Sequence, residues 1–409
     1  MKFYCVAISS FLFCVSVAED VLSQSLRDNF TAYLSAFAVS IPEADFDYRL
    51  QVYADNLQAI EDHNNDPSHS TIWGITGFAH LTENEFRAAY VSSSEPSLDW
   101  NRSSVGQTLS VDPASLPREV NLAVDGKITE VRDQGNCGSC YLFATTTVLE
   151  SSYAIAMNIP HEESTFSTMQ SIACDPDINC EGGYFSTVKN YLYGAPRLCQ
   201  DWQYPYSAKE ANAITNSATH TDCDRDRLEW CDPNPFLNDA TLGDNVLFNT
   251  PLIMGMLTKA NSIVNYGVPV MISMRAESLS PFYVGGIITA ETCASDIAKS
   301  DASHKKQEWH AVVVVGYGEA SDGTKYWVAQ NSWSTRWGTN ADGTTTSFTN
   351  TWLAGRGGFF LFERDASLDE SGGVCEMFES YKIMPFAHVY TVEEPTLPPT
   401  VPTRKSCPN

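Results

Sequence analysis

The sequence predicts an α+β fold, with a helical half followed by a strand-rich half. Apolar residues recur three or four apart over residues 20–64 and again after Cys140, which is the period of a buried helix face. Residues 312–315 and 326–329 are apolar and β-branched runs on either side of a turn signal, which is typical of a hairpin. Hydrophobic side chains make up 43% of the 409 residues, which is enough to form a large hydrophobic core.

Charge excludes one class of partner. The chain has 50 acidic and 25 basic groups, for a net charge of −25. Binding to nucleic acid needs basic patches, so nucleic acid is not expected as a partner. The length predicts two or three folded units, or one large unit with a preceding segment.

The first element is a predicted secretory signal. An apolar stretch over residues 3–17 ends in Ser16, Val17 and Ala18, and small residues at these positions indicate cleavage after Ala18. The alternative is an anchor helix, but the run is shorter than the roughly 18 residues that span a bilayer. No later segment is predicted to span one. We therefore expect residues 1–18 to be removed in the secretory pathway.

Helices are expected over residues 20–64, with Pro42 separating two of them. A short strand at 71–74 and a small helix ending at Tyr90 should follow. Residues 91–117 carry Ser and Pro without periodicity and indicate a linker. The proline-rich end, residues 391–409, is predicted to be an extended tail.

One cysteine differs from the others. In Gln134-Gly-Asn-Cys137-Gly-Ser-Cys140-Tyr141, Cys140 starts a helical stripe, and the positive end of a helix favours a reactive thiolate. The alternative is a redox or metal pair of Cys137 with Cys140. That spacing is shared by many unrelated sites, and no second ligand pair accompanies it.

This segment fits the pattern C-G-[SA]-C-[WY], and the chain here resembles papain-like (cathepsin-type) cysteine peptidases. The resemblance continues at residues 308–311 (Glu-Trp-His-Ala) and 330–333 (Gln-Asn-Ser-Trp). It implies a two-lobed fold with a helical left lobe and a β-barrel-like right lobe, preceded by a mostly helical inhibitory proregion. The expected boundaries are 19–114 for the proregion and linker, and 115–390 for the peptidase domain.

The resemblance assigns four catalytic roles. Cys140 is the nucleophile that forms a thioester, His310 the acid and base, Asn331 the group that orients His310, and Gln134 an oxyanion-hole donor together with the Cys140 N–H. The midpoint between residues 310 and 331 falls in the predicted turn at 319–323, so a hairpin should bring His310 and Asn331 side by side. No metal or organic cofactor is expected.

The motif spacing departs from the family. His310 and Asn331 lie 170 and 191 residues after Cys140, against roughly 130–150 in the family. Insertions at 196–249 and 292–308 explain the excess, and a third insertion at 340–356 separates Trp337 from the strand that follows it. We expect all three insertions to be loops.

The cysteines other than the nucleophile are odd in number. Ten cysteines follow the signal, and setting aside the nucleophile leaves nine, so one more should stay unpaired; Cys407 is the candidate. The resemblance implies pairs between Cys137 and Cys180 and between Cys293 and Cys375. Cys174 should pair with Cys223, although Cys199 and Cys231 compete for it.

Substrate contacts are expected along a glycine-rich wall and beside the histidine. The alternative for the wall is a tight turn next to a disulfide. A small residue at position 380 favours apolar over arginine side chains at the second residue before the scissile bond, although Glu379 is adjacent. The expected contacts are Gly138, Gly182, Gly183, Tyr184, Trp333 and Ser380.

Six residues before the linker follow helical spacing and resemble the family's proregion motif: Asp45, Arg49, Tyr53, Asn56, Ile60 and Asn64. Alternate residues from 74 to 80 resemble a second motif, with His80 in place of an acid. The alternative is an ordinary amphipathic helix and strand. Together the motifs imply a zymogen whose own proregion inhibits it, and we expect protonation of His80 near pH 6 to contribute to its release.

The sequence therefore predicts a monomeric cysteine-type endopeptidase that hydrolyses protein or peptide substrates in a lysosome- or vacuole-like compartment or outside the cell. Endopeptidase activity is favoured because the paired-histidine insert of dipeptide-removing relatives is not seen. Two rivals remain: a catalytically silent binding protein on the same fold, and a transpeptidase or ligase that passes the thioester to an amine.

Overall fold

A computed structural model of the chain describes residues 24–91, 111–217, 223–236, 249–258, 267–303, 305–345 and 357–378. The first of these segments contains helix α1 (24–36), helix α2 (Phe46–Asn65), strand β1 (Thr71–Trp73) and helix α3 (Glu83–Tyr90). Pro42 lies between α1 and α2, as the helical pattern predicted. The signal, the linker over 92–110 and the tail over 391–409 lie outside the described residues.

Helix α3 has a well-defined start. The Thr82 hydroxyl accepts from the Glu85 N–H, and the Glu85 carboxylate accepts from the Thr82 N–H, which together form a capping box. Aromatic side chains of α1 and α2 form a small core with residues after β1. Its buried members are Phe30, Tyr33, Phe37, Leu50, Tyr53, Ile60, Ala79 and Phe282.

Helix α4 (Cys140–Met157) is the central helix of the molecule. It packs against the helices α5 (Thr168–Cys174) and α6 (Phe185–Gly194) and against the strands β5 (Val270–Arg275) and β7 (Trp309–Glu319). It is buried along nearly its whole length, because it lies between the helical lobe and the sheet. It ends at Asn158, which adopts a left-handed conformation.

We expected the insertion over 196–249 to be a loop, but the structure shows helices and strands in it. Its described residues include helix α7 (Ala208–Thr215), helix α8 (Arg225–Leu228) and the two-stranded sheet of β3 (Arg197–Leu198) with β4 (Asp232–Pro233). Ser207 and Asp224 cap the two helices by accepting backbone N–H groups. These caps make short helices possible in a polar stretch.

The larger sheet contains β1, β2 (Val120–Asn121), β5 (Val270–Arg275), β6 (Tyr283–Ile288), β7 (Trp309–Glu319), β8 (Lys325–Gln330) and β9 (Phe359–Glu363). Its order is β1-β6-β9-β8-β7-β2, with β5 also paired to β7. Among the described strands this order does not close into a barrel. The α+β class with separate helical and sheet parts is confirmed, whereas the barrel-like lobe is an open sheet.

We also expected the second insertion, 292–308, to be a loop, but most of it is helical. Helix α10 (Ala290–Ala302) fills most of it, and the Thr289 hydroxyl caps the helix by accepting from the Thr292 N–H. A disulfide from Cys293 to Cys375 ties the helix to a 3-10 turn. The remaining helix, α9 (Thr250–Leu257), starts at Asn249 and has a proline in its first turn. Of the third insertion, residues 346–356 lie outside the structure described.

The described residues contain four disulfides: Cys137–Cys180, Cys174–Cys223, Cys199–Cys231 and Cys293–Cys375. Cys137–Cys180 and Cys293–Cys375 are the pairs that the resemblance implies, and Cys174–Cys223 is the pair favoured by position. Cys199 and Cys231, the two competitors for Cys174, bond to each other. Cys140 is free. Cys407 is not among the described residues.

No helix in the described ranges is both long and apolar enough to cross a bilayer.

Candidate active site

Cys140 is the first residue of α4, next to strand β7. The residue is 3% exposed, and its thiol belongs to none of the disulfides of the described residues and accepts a hydrogen bond from the Ala311 N–H at 3.5 Å. Because Ala311 follows His310, this contact places the sulfur against the backbone that carries the histidine. The start of α4 and the start of β7 thus meet at this sulfur.

His310 and Asn331 are brought together by the β7–β8 hairpin. The Asn331 Oδ1 lies 2.7 Å from His310 Nε2 and also accepts from the Ser332 N–H at 2.7 Å. Since this oxygen can only accept, Nε2 carries the hydrogen and Nδ1 is left as the basic nitrogen. Nδ1 has no hydrogen-bond partner among the described residues.

The hairpin register differs slightly from the symmetric one predicted. Val313 lies opposite Gln330, and a bulge follows between Val314 and Gly316. His310 and Asn331 are therefore diagonal neighbours across the hairpin rather than directly opposite, a separation that long side chains can bridge.

Trp333 covers the histidine. Its ring centroid is 4.6 Å from that of His310, it is fully buried, and Trp337 packs on it edge-on at 4.8 Å. This arrangement keeps water from the His310–Asn331 bond, which strengthens the bond.

Gln134 is fully buried beside the start of α4. Its Nε2 donates to the Cys137 carbonyl at 2.9 Å, and its Oε1 accepts from the Ser332 hydroxyl at 2.6 Å. The Ser332 contact fixes which way the amide points, so the N–H₂ end faces the Cys140 segment. Sequence reasoning included Ser332 in a motif but did not predict this orienting role.

Residues 24–91 close the site. The Tyr90 carbonyl, at the end of α3, accepts from Gln134 Nε2 and from Trp333 Nε1, each at 3.3 Å. Phe86, one turn earlier, packs edge-on against Trp333 at 5.0 Å. The Tyr90 carbonyl thus accepts a hydrogen bond from the Gln134 amide, which is the group expected to donate to the oxyanion. Neither Tyr90 nor Phe86 was predicted, because no local motif marks such a long-range contact.

Electrostatics in this closed state favour uncharged groups. Burial raises the pKa of the Cys140 thiol to about 11, against the opposing effect of the Ala311, Tyr141 and Cys140 N–H groups. Burial also lowers the pKa of His310 to about 4, against the opposing effect of its bond to Asn331. Near neutral pH the pair is therefore a thiol and a neutral imidazole.

Comparison with known protein families identifies the family to which the chain belongs. A model for papain family cysteine proteases matches residues 116–351, and a model for the cathepsin propeptide inhibitor domain matches residues 30–86. The chain belongs to the papain family of cysteine proteases. It is a cysteine-type peptidase of the hydrolase class, with an inhibitory propeptide domain fused in front of it.

Relatives in plants resemble this papain-family chain over most of its length. Ananain of Ananas comosus is 27% identical over 331 residues, covering 80% of this chain and 78% of the relative. A cysteine endopeptidase of Oryza sativa subsp. japonica, Rep1, is 28% identical over 334 residues, covering 80% and 75%.

Solved structures support the same papain-like fold. A recombinant stem bromelain precursor matches with a TM-score of 0.61 and 22% identity, covering 90% of this chain and 100% of that one. A digestive procathepsin L2 proteinase from Tenebrio molitor larval midgut matches with a TM-score of 0.61 and 22% identity, covering 89% and 100%.

The glycine-rich wall of this papain-family protease adjoins the start of α4. A Cβ on Gly138 would lie 2.5 Å from the Cys180 carbonyl oxygen, and one on Gly183 would lie 2.5 Å from the Tyr141 ring. Gly182 has a φ of +100°, which a side chain rarely tolerates. Packing at Gly138 and Gly183 and backbone conformation at Gly182 therefore favour glycine without any substrate contact. Tyr184 is 36% exposed, and Ser380 lies outside the described residues.

The proregion motif residues bind the segment that follows β1. Arg49 donates to Glu85 at 2.7 Å and to the His80 carbonyl at 3.2 Å, and Asn56 donates to the carbonyls of Ala79 and Leu81, each at 2.9 Å. Asn64 exchanges two bonds with Trp73, Tyr53 and Ile60 are buried, and Asp45 ends the 3-10 turn before α2. The motif thus holds the proregion in its folded form.

His80 differs from our expectation. Its Nδ1 lies 2.9 Å from the Tyr33 hydroxyl, and burial lowers its pKa to about 4, assisted by the positive charges of Arg49 and Arg336 and opposed by Glu85. In the folded chain, His80 is therefore expected to be protonated near pH 4, and the expectation of protonation near pH 6 is wrong.

Proposed function

We propose that this chain is a cysteine endopeptidase made as a secretory zymogen, with Cys140 as nucleophile, His310 as acid and base, Asn331 as the orienting group and Gln134 as an oxyanion donor. The observation that carries the proposal is the free Cys140 at a helix start, in contact with the segment of the His310–Asn331 pair. The papain-family match supports the same roles.

The reaction follows from these positions. The Cys140 sulfur attacks the peptide carbonyl carbon while its proton passes to His310 Nδ1, and the resulting oxyanion accepts from Gln134 Nε2 and the Cys140 N–H. His310 then protonates the leaving amine as the C–N bond breaks, leaving a thioester. Water, deprotonated by His310, hydrolyses the thioester and restores the thiol.

The closed state supports synthesis as a zymogen. Tyr90 occupies the Gln134 donor, and burial keeps both Cys140 and His310 uncharged. Removing the proregion would free the donor and readmit water, which favours the charged pair.

The proposed organisation retains the sequence-based boundaries: a signal at 1–18, a proregion and linker at 19–114, a peptidase domain at 115–390 and a tail at 391–409. Maturation by cleavage between about residues 111 and 116 would release a monomeric peptidase into a vacuole-like compartment or outside the cell. Four disulfides support passage through an oxidising compartment. Substrate contacts at Gly138, Gly182, Gly183, Tyr184, Trp333 and Ser380 belong to the same proposal.

Mass spectrometry of an acid-activated sample labelled with a thiol-directed epoxide tests the assignment. The label should sit on Cys140, and the same spectra give the mature N-terminus. Cys140→Ala should lose both the label and peptide hydrolysis, whereas continued hydrolysis would contradict the mechanism and an inert parent would favour a binding protein. Product analysis with an added amine separates hydrolysis from ligation.

A further inference from the structure

Arg87 of α3 reaches out of the proregion and is held by the peptidase part. Its Nη1 donates to the Glu308 carboxylate and to the Ala276 carbonyl at 3.4 Å, and its Nη2 donates to the Glu277 carbonyl at 2.9 Å. We call these three acceptors, the Glu308 carboxylate and the carbonyls of Ala276 and Glu277, the arginine seat. They are arranged to match the fork of a guanidinium.

The arginine seat lies on the same strand pair as His310. Strands β5 and β7 pair Met274 with His310 and Arg275 with Trp309, and the bond from the Ala276 N–H to the Glu308 carbonyl at 2.9 Å extends this ladder by one residue. Residues two apart along an extended chain face the same side. Glu308 therefore faces the side of the sheet on which His310 meets Asn331.

Charge around the seat favours a cation. The Glu308 side chain is only 19% exposed, and it bonds to Arg87. Burial raises the pKa of this carboxyl and the charge of Arg87 opposes the rise, so a guanidinium at this place favours the ionised carboxylate. Close by, one buried guanidinium is shared by several carboxylates: Arg275 bonds to Glu277, Asp301 and Glu376. When Arg87 leaves with the proregion, Arg275 stays bonded to these three carboxylates, and the Glu308 carboxylate loses the guanidinium that it bound.

We propose that in the mature enzyme the arginine seat binds the side chain of an arginine in the peptide substrate, so that Arg87 occupies in the zymogen a place that substrate takes later. This inference rests on the proposed peptidase function. Lysine should bind less well, because one ammonium group cannot meet three separated acceptors as a planar fork does. Citrulline, which has nearly the same shape without the charge, should bind weakly.

The test uses the mature enzyme, first with a peptide mixture to find which positions around the cut are enriched in arginine. Matched peptides with arginine, lysine or citrulline at the enriched position are then compared. The expected kcat/KM for arginine exceeds that for citrulline by roughly 10- to 100-fold, with lysine between them. Glu308→Gln should remove most of the preference for arginine over citrulline, measured as the ratio of kcat/KM for the two matched peptides in the same variant. Glu291→Gln, an exposed acid on α10, is the control.

Two outcomes overturn the inference: no arginine enrichment at any position in the parent, or an unchanged arginine preference in Glu308→Gln. Arginine enrichment is measured in the parent enzyme, so the inference can be tested even if the Glu308→Gln variant does not fold. If the enzyme cleaves neutral peptides in a Cys140-dependent way but shows no preference for arginine, the arginine seat does not bind substrate. The proposed peptidase function is then still supported. Enrichment at the second residue before the cut supports the seat and also makes the expectation from Ser380 wrong.

Discussion

His80→Asn tests how acid loosens the proregion. The half-buried His80 ring contacts the Tyr33 hydroxyl, and burial, assisted by the charges of Arg49 and Arg336, lowers its pKa from 6.5 to about 4. The folded chain therefore leaves this ring neutral over a pH range in which the unfolded chain protonates it. Between pH 6.5 and 4 the unfolded state binds more protons, so stability falls as the pH falls.

The magnitude follows from the shift. A pKa difference of about 2.5, at about 1.36 kcal/mol for each pH unit, gives a loss of roughly 3 kcal/mol, complete near pH 4 and absent above pH 6.5. Asparagine keeps a polar group that can face the Tyr33 hydroxyl but cannot titrate. The variant should therefore lose less stability on acidification than the parent does.

Urea unfolding of the full-length Cys140→Ala chain, which cannot digest itself, measures this at pH 7 and at pH 4. His80→Asn in that background should reduce the drop in the free energy of unfolding by up to about 3 kcal/mol. In the active chain, the same variant should mature more slowly at acid pH.

His69→Asn, an exposed histidine of the same proregion, is the control and should leave the drop as it is. Parallel stability curves for the parent and His80→Asn between pH 6.5 and 4 would refute the reasoning, because the ring would then not be the group that takes up the proton.

Three further results are expected. Gln134→Ala should lower kcat by about 10²- to 10³-fold in the mature enzyme, because an oxyanion donor is lost, and an unchanged kcat would remove that role. Gly138→Ala should cost about 1–3 kcal/mol in urea unfolding because its Cβ meets the Cys180 oxygen at 2.5 Å, whereas Gly194→Ala, with no atom within 4 Å, should be neutral. Burial raises the pKa of Glu150 from 4.5 to about 7, so this residue contributes stability below pH 4.5 that is lost as the pH rises through 7. Glu150→Gln should flatten that fall of at most about 3 kcal/mol, and an unchanged slope would show that another group titrates.

Local patterns anticipated much of the fold. The helix that starts at Cys140, the hairpin that joins His310 to Asn331, and the division of α1 from α2 near Pro42 all follow from periodicity and turn residues close in sequence. The insertion at 292–308 was wrongly expected to be a loop, because the cap at Thr289 and the disulfide at Cys293 stabilise a helix whose apolar pattern is weak.

By itself the sequence determined which residues can perform chemistry and which class of fold holds them, because nucleophile, base and turn signals each lie within a few neighbouring residues. Only the tertiary structure decided that the Tyr90 carbonyl fills the Gln134 donor, that burial holds Cys140 and His310 uncharged, and that Arg87 pairs with Glu308 across 221 residues. Such contacts depend on how separate elements pack, and packing of distant surfaces leaves no periodic trace in the chain.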